Sequence, residues 1–280
     1  MRLDDGDRSN VEDRRGVLGR RGGAKLGIGG MLVLAVLSLV FKQDMFALLG
    51  ASPLQGSTGD ASPQQVAERQ AAEADLERTA VASFNDAQRL WGREVDGYRA
   101  AKLVLFWDEV RSGCGDAAAE MGPFYCPADE RVYIDLGFYR ELAARFGAPG
   151  AFAQAYVIAH EVGHHLQTQL GVEERVRAAQ RRDPSRRNAL SVLMELQADC
   201  LAGAWGKAAH ERGLLDPGDL EQGLAAAAAV GDDRIQQATT GRVSPESFTH
   251  GSAAQRTRWF RTGFEAGSLK ACDTFGAASR

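Results

Sequence analysis

The sequence predicts a mostly helical α+β protein with a small sheet, preceded by one transmembrane helix. Three observations support this fold class: an uncharged apolar run near the N-terminus, a few short strand patterns mid-chain, and helix-prone sequence over most of the remainder. The chain has 280 residues, 44% of them hydrophobic and 25% charged, which excludes a largely disordered or collagen-like protein. Its formal net charge of −4 argues against a nucleic-acid binder that neutralises phosphates broadly.

The N-terminal region predicts a membrane anchor. Residues 26–41 carry no charge, and a flanking lysine that snorkels extends this run toward the roughly 20 residues that span a bilayer. A basic cluster precedes the run, which favours a cytoplasmic N-terminus, and no small-residue cleavage site follows it. We therefore expect a cytoplasmic tail (1–25), an uncleaved single-pass signal anchor (26–49), a flexible tether (50–63) and a periplasmic or extracellular domain (64–280).

The domain opens with a helix and continues with short strands. Residues 64–95 are rich in Ala, Glu, Arg and Gln, which predicts a helix. Short apolar runs predict strands at 103–107, 122–125 and 131–134, with a turn between the last two. The remaining chain is mostly helix-prone, and the Asp pair at 232–233 after an alanine run indicates the end of a helix.

Residues 160–164 read HEVGH and predict a catalytic metal site. On a helix, His160 and His164 share one face, so both imidazoles can bind one zinc ion. Glu161 lies beside them and can act as the general base on a zinc-activated water. The alternative is two unrelated helical histidines.

A third ligand is expected from a second helix, at about residues 191–205. Glu195 and Asp199 are four residues apart there, so both carboxylates lie on one face. One can bind the zinc while the other accepts the second ring proton of a histidine ligand. A solvated charged stripe is the alternative, but the small and apolar neighbours indicate a buried helix, where carboxylates need a partner.

The resemblance to known families extends beyond the metal motif. The Glu-x-x-x-Asp pair some thirty residues after the histidine motif resembles the gluzincins, which implies that Glu195 is the third ligand and Asp199 its supporting partner. The chain as a whole resembles the bacterial family of putative neutral zinc metallopeptidases, which implies a zincin-like domain but no particular substrate. The segments that carry this resemblance are GPFYCPADERVYIDL, IAHEVGHHLQ, ELQADCLAGAW and GRVSPESFTHGSAAQRTRWFRTGFEAG.

Three further side chains are candidates for roles near the site. His250 lies in a loop before a capping-box helix and could donate a hydrogen bond to the oxyanion of the tetrahedral intermediate, although a structural role is an equal alternative. Tyr156 could serve instead, but core packing is the preferred interpretation. His165 points about 100° away from His164, which favours packing.

Four cysteines and a basic run complete the candidates. None of the cysteines has the C-x-x-C spacing of a zinc site. In an oxidising compartment we expect the disulfides Cys114–Cys126 and Cys200–Cys272. Six arginines between 175 and 188 predict a solvated loop, with contact to anionic lipid or an acidic substrate as the alternative.

The leading hypothesis is a membrane-anchored, extracytoplasmic zinc metalloendopeptidase. It predicts one catalytic zinc ion, a peptide or protein substrate, contact with the lipid bilayer through the N-terminal helix, and no nucleic-acid partner. A zinc-stabilised binding or scaffold protein without turnover is the alternative, and a hydrolase acting on a cell-envelope amide is a weaker one.

Overall fold

The computed structural model describes residues 1–3, 6–16 and 62–278. The strands are β1 (Val11–Asp13), β2 (Lys102–Leu105), β3 (Glu109–Ser112), β4 (Gly115–Ala118), β5 (Phe124–Cys126) and β6 (Arg131–Ile134). The helices are α1 (Pro63–Ala72), α2 (Ala74–Glu94), α3 (Gly137–Ala144), α4 (Ala151–Gln169), α5 (Val172–Arg182), α6 (Arg187–Glu211), α7 (Asp219–Ala229), α8 (Asp232–Thr240), α9 (Ala253–Ala266) and α10 (Thr274–Ala278). The mostly helical α+β class with small sheets is therefore confirmed.

The chain divides into two units, of which one carries nearly all the elements. Met1–Arg15 and Gln70–Arg280 form this larger unit, while α1 begins in the other, Gly16–Arg69. Within the larger unit, β1 pairs in parallel with β2, so that Val11 lies opposite Leu103. The sequence does not predict this strand, because residues 1–25 read as a separate tail.

The main sheet has the order β1-β2-β6-β5, and a separate hairpin joins β3 to β4. The central strand β2 runs parallel to β6, whereas β5 is antiparallel to β6 and forms the edge of the sheet. Leu103, Val104 and Leu105 are all fully buried, since a central strand covered on both faces reads as a continuous apolar run. The predicted strands at 103–107 and 122–125 are confirmed with shifted bounds, and the one at 131–134 has the predicted bounds.

Helix α2 packs one face into the core. Ala80, Phe84, Ala87 and Trp91 recur at spacings of four, three and four, and all four are buried. The helix predicted over 64–95 is confirmed as helical sequence, but a break at Glu73 divides it into α1 and α2. At this break the buried Glu73 carboxylate accepts a hydrogen bond from the Trp107 indole at 2.9 Å.

Close helix contacts bring α4, α6 and α9 together. A Cβ added at Gly163 of α4 would lie 3.2 Å from the Ala198 backbone of α6, and one at Gly263 of α9 would lie 1.8 Å from the Cys200 carbonyl oxygen. The approach at Gly263 leaves no space for any Cβ, and the one at Gly163 is tighter than most Cβ contacts. The three helices therefore meet around the residues that the sequence predicts to be functional.

Both predicted disulfides, Cys114–Cys126 and Cys200–Cys272, are confirmed. One local prediction is wrong and another is confirmed. The basic run begins in helix α5 rather than in a loop. The alanine-run helix α7 ends at Ala229, shortly before the Asp pair as predicted, and Asp232 begins the next helix, α8, where its carboxylate accepts backbone N–H groups of the loop at 249–251.

The predicted anchor (26–49) and most of the predicted tether lie outside the described residues. Across residues 1–3, 6–16 and 62–278, no helix is both long enough and apolar enough to cross a membrane.

Candidate metal centre

Two helices bring three candidate metal-binding side chains together. His160 and His164 lie one turn apart on α4, and their Nε2 atoms are 3.2 Å from each other. Glu195 reaches them from α6, with its carboxylate oxygens 3.2 Å from His160 Nε2 and 3.4 Å from His164 Nε2. One ligand atom from each residue lies within 4.8 Å of the others.

The outer nitrogen of His160 is held by a buried ion pair. Its Nδ1 lies 2.9 Å from Oδ1 of Asp199, whose side chain is fully buried on α6. Arg256 of α9 donates to both oxygens of this carboxylate, through Nε at 2.8 Å and Nη2 at 2.9 Å. Tyr156 donates its hydroxyl to the same Asp199 Oδ1 at 2.5 Å. This is the supporting role that the resemblance implies for Asp199.

The outer nitrogen of His164 has a different partner. Its Nδ1 lies 2.8 Å from Oε1 of Gln167, a buried residue on the same helix. Each histidine thus has an acceptor at Nδ1, which places a proton there and leaves the Nε2 lone pair facing the other ligand.

The electrostatics of the three ligands favour a bound cation. Burial acts to lower the pKa of His160, but the Asp199 and Glu195 carboxylates together outweigh it and raise the pKa to about 9. The pKa of His164 is also raised, because Glu195 outweighs the effect of burial. Burial acts to raise the pKa of Glu195, yet the two imidazoles hold it well below its usual range.

These groups fit zinc. Two Nε2 lone pairs and a carboxylate converge on one point, and without a cation between them only an extra proton would relieve their repulsion. Two imidazoles and one carboxylate are also the donor set of many catalytic zinc sites, in which three protein ligands leave a further coordination position open.

A cleft of about 570 Å³ opens onto these ligands. Glu161 lines it beside the ligand histidines and is itself 7% exposed. Val176, Arg177 and Gln180 of α5 contribute to its lining, together with Phe124 of the edge strand β5. The cleft can therefore present an extended substrate to the metal ligands.

His250 also lines the cleft, from the loop before α9. Its Nδ1 lies 3.0 Å from Oδ1 of Asp232, and the other Asp232 oxygen accepts the His250 backbone N–H at 2.7 Å. The hydrogen bond that the Asp232 carboxylate accepts from the ring raises the pKa of His250 above its usual value, while burial acts in the opposite direction. The cleft thus holds a histidine that is biased toward its cationic form.

The other sequence candidates have structural positions around the site. Tyr156 packs in the core and also donates its hydroxyl to Asp199. His165 is fully buried and bonds the Tyr125 hydroxyl at 3.0 Å and the Arg99 carbonyl oxygen at 2.6 Å, which confirms the packing interpretation.

Sequence reasoning missed Arg256, Gln167 and Asp232. One signal could have indicated Arg256. It lies in the apolar stripe of α9, three residues after Ala253 and four before Phe260. A charged side chain in a buried stripe needs a carboxylate partner. Asp232 and Gln167 gave no comparable signal, because their partners depend on how the elements fold together.

The fold and the site define a helical metal-site protein in which an H-E-x-x-H helix and a glutamate from a second helix share one metal position. The chain belongs to the family described as putative neutral zinc metallopeptidase, whose model matches residues 1–275, and this confirms the resemblance seen in the sequence.

Curated relatives support the assignment over most of the chain. The uncharacterized protein YpfJ of Escherichia coli K12 is 45% identical over 282 residues, covering 95% of this chain and 96% of the relative. The uncharacterized protein Rv2575 of Mycobacterium tuberculosis H37Rv is 47% identical over 210 residues, covering 71% and 70%. The uncharacterized protein Mb2605 of Mycobacterium bovis has the same identity and coverage. No solved structure matches this chain.

Proposed function

We propose that this protein is a zinc-dependent metalloendopeptidase. One observation carries the proposal: His160, His164 and Glu195 converge on a single point beneath an open cleft, and Glu161 lines that cleft from the same helix turn. A purely structural zinc site has no use for a carboxylate beside the metal that is not a ligand. The family membership supports a hydrolase of this class.

His160, His164 and Glu195 would hold the ion. A zinc ion bound there supplies Lewis-acid activation of water and of the substrate carbonyl. Glu161 takes the proton from the attacking water on its carboxylate and then delivers it to the leaving amine, so that it is restored after each turnover. Asp199 keeps the His160 ring oriented, and Arg256 balances the charge of that buried carboxylate.

We assign to His250 the stabilisation of the oxyanion. Its ring lies in the cleft, its cationic form is favoured by Asp232, and three backbone N–H bonds to Asp232 fix the loop that carries it. A cationic donor placed where negative charge develops lowers the barrier more than it stabilises the bound substrate.

The edge strand β5 is proposed to align the substrate. Its inner edge pairs with β6, and the sheet order ends at β5, so its other edge is not used by the main sheet. Phe124 and Tyr125 of this strand line the cleft. An extended peptide can add to such an edge by main-chain hydrogen bonds, a mode that suits an endopeptidase because it requires no chain terminus.

The main alternative is a zinc-stabilised scaffold protein of the cell envelope that does not turn over a substrate. It would retain the ligand set but would not need Glu161 in the cleft. A hydrolase acting on a cell-envelope amide rather than a protein is a further alternative, since the same groups can attack any amide carbonyl.

The test is Glu161→Gln, measured for zinc content and for cleavage of a peptide library. We expect the variant to bind zinc as the wild type does and to lose hydrolysis, because an amide cannot accept the proton. Glu174→Gln, an exposed Glu-to-Gln change on α5, is the matched control and should cleave normally. Cleavage by the Glu161 variant would refute the mechanism, and zinc binding by a wild type that cleaves nothing would favour the scaffold.

For location, we propose attachment to the membrane through residues 26–49, with the domain outside the cytoplasm. The apolar run and the two disulfides support this, because disulfides persist in oxidising compartments. The basic cluster favours a cytoplasmic N-terminus. The pairing of β1 with β2 argues against a cytoplasmic N-terminus, since a single crossing at 26–49 would place the two strands on opposite sides of the membrane.

Labelling of intact cells with a membrane-impermeant maleimide would decide the topology. Cysteines introduced at Ser9 and at Asp75, both exposed, report the two sides of the apolar segment. Labelling at Asp75→Cys alone would support the single span with a cytoplasmic tail. Labelling at both positions would contradict it and place β1 with the domain.

A further inference from the structure

Gln167 connects the two helices that carry the metal ligands. Its side chain is fully buried, and its Oε1 lies 2.8 Å from His164 Nδ1. Its amide nitrogen donates to the Met194 carbonyl oxygen at 2.7 Å and to Gln197 Oε1 at 3.1 Å. Met194 precedes the ligand Glu195 on α6, so one side chain contacts both ligand-bearing segments.

The direction of each hydrogen bond in this group is determined by backbone carbonyls, which can only accept. Gln197 Nε2 lies 2.9 Å from the Cys272 carbonyl oxygen and must therefore donate to it. Gln197 Oε1 is then the atom turned toward Gln167, and it accepts. The Met194 carbonyl oxygen can also only accept, so the amide nitrogen of Gln167 donates to two acceptors, Met194 O and Gln197 Oε1.

These constraints decide which ring nitrogen of His164 carries its proton. With its nitrogen engaged, Gln167 presents only its oxygen to His164 Nδ1. An oxygen acceptor requires an N–H at Nδ1, because two acceptors at 2.8 Å would repel each other. The Nε2 atom is then unprotonated and faces His160 and Glu195.

The end of this hydrogen-bond chain is anchored covalently. Cys272 forms a disulfide with Cys200 of α6, five residues after the ligand Glu195. The carbonyl that orients Gln197 is thereby attached to the helix that supplies the third ligand. At Nδ1, His160 has an ionic partner in Asp199, whereas His164 has the neutral amide oxygen of Gln167.

We propose that Gln167 and Gln197 are positioning residues that hold the His164 ring in its metal-binding tautomer. The inference rests on the zinc site of the proposed function, but not on turnover. Since the partner of a ligand histidine typically affects metal affinity by roughly 10- to 100-fold, Gln167→Leu should weaken zinc binding by about that factor. Gln197→Leu should weaken it less, because the Met194 carbonyl still orients Gln167.

The experiment measures the zinc dissociation constant of the full chain by competition with a chromogenic chelator. Gln88→Leu is the matched control: Gln88 is a buried glutamine on α2 that bonds the backbone of Ala101, away from the metal ligands. It should lower thermal stability without changing zinc affinity. A second readout is the NMR resonance of the His164 Nδ1–H in the cobalt-loaded protein. This proton should exchange faster with solvent in Gln167→Leu and in Gln197→Leu.

Each result separates the possibilities. If Gln167→Leu binds zinc within twofold of the wild type, or if Gln88→Leu weakens binding as much, the inference is wrong. If Gln167→Leu does not fold, an unchanged affinity and an unchanged Nδ1–H exchange rate in Gln197→Leu would also overturn it. A wild type that binds zinc but cleaves no peptide refutes the proposed function and leaves this inference intact.

Discussion

Replacing Arg256 by Met is predicted to destabilise the protein strongly. The guanidinium donates to Asp199 at 2.8 and 2.9 Å, to the Val230 carbonyl at 3.0 Å and to the Tyr156 oxygen at 3.2 Å, and its side chain is only 4% exposed. Methionine fills similar space but removes the guanidinium that balances the fully buried Asp199 carboxylate. Removing one partner of a buried ion pair costs about 3–5 kcal/mol.

The assay is thermal unfolding of the metal-free protein followed by circular dichroism. For a chain of this size, about 3–5 kcal/mol corresponds to a fall in Tm of roughly 6 to 20 °C. Arg258→Met, an exposed position on the same helix, is the control and should change the free energy of unfolding by less than about 0.5 kcal/mol.

A double-mutant cycle tests the assigned partner. Asp199→Asn removes the charge that Arg256 balances, so the double variant should be more stable than the sum of the two single changes predicts, by roughly 0.5–3 kcal/mol. Additive effects, or an Arg256→Met variant with wild-type Tm, would refute the view that this pair is a coupled, buried support of the zinc site.

Three further predictions follow from the site and the disulfides. Zinc at a hundredfold excess over its Kd should stabilise the protein by about 2.7 kcal/mol, and chelation should reverse the gain in a calorimeter. Replacing both cysteines of Cys200–Cys272, which are 72 residues apart, should lower the free energy of unfolding in urea by about 4 kcal/mol. The same change at Cys114–Cys126, which are 12 residues apart, should lower it by about 3 kcal/mol, because a shorter loop loses less entropy when it is closed. Equal losses would contradict the loop-entropy argument. Asp232 raises the pKa of His250, whose cleft-facing ring also interacts electrostatically with Glu195 and Arg256, so the cationic form of His250 persists to higher pH. Asp232→Asn should therefore move the alkaline limb of the kcat/KM profile to lower pH. An unmoved limb would show that His250 does not take part in catalysis.

Local periodicity explains why much of the site could be predicted. The positions of His160 and His164 on one helix face, and of Glu195 and Asp199 on another, follow from 3.6 residues per turn and need no tertiary information. The strand patterns near residues 103 and 131 are similarly local. The burial of Glu73 at the helix break was not predictable in this way, because its partner Trp107, whose indole donates to that carboxylate, lies 34 residues away.

The sequence by itself predicted the mostly helical α+β class, the three candidate ligands and the proposed base Glu161, because each depends on residue types at short, regular spacings. Only the tertiary structure decided which groups support the ligands. Arg256 lies 57 positions from Asp199 and Gln197 lies 30 from Gln167, yet both pairs are within hydrogen-bond distance. The physical reason is that a buried charge or amide must be satisfied by whatever the folded chain brings to it, and that partner is set by helix packing rather than by neighbouring sequence.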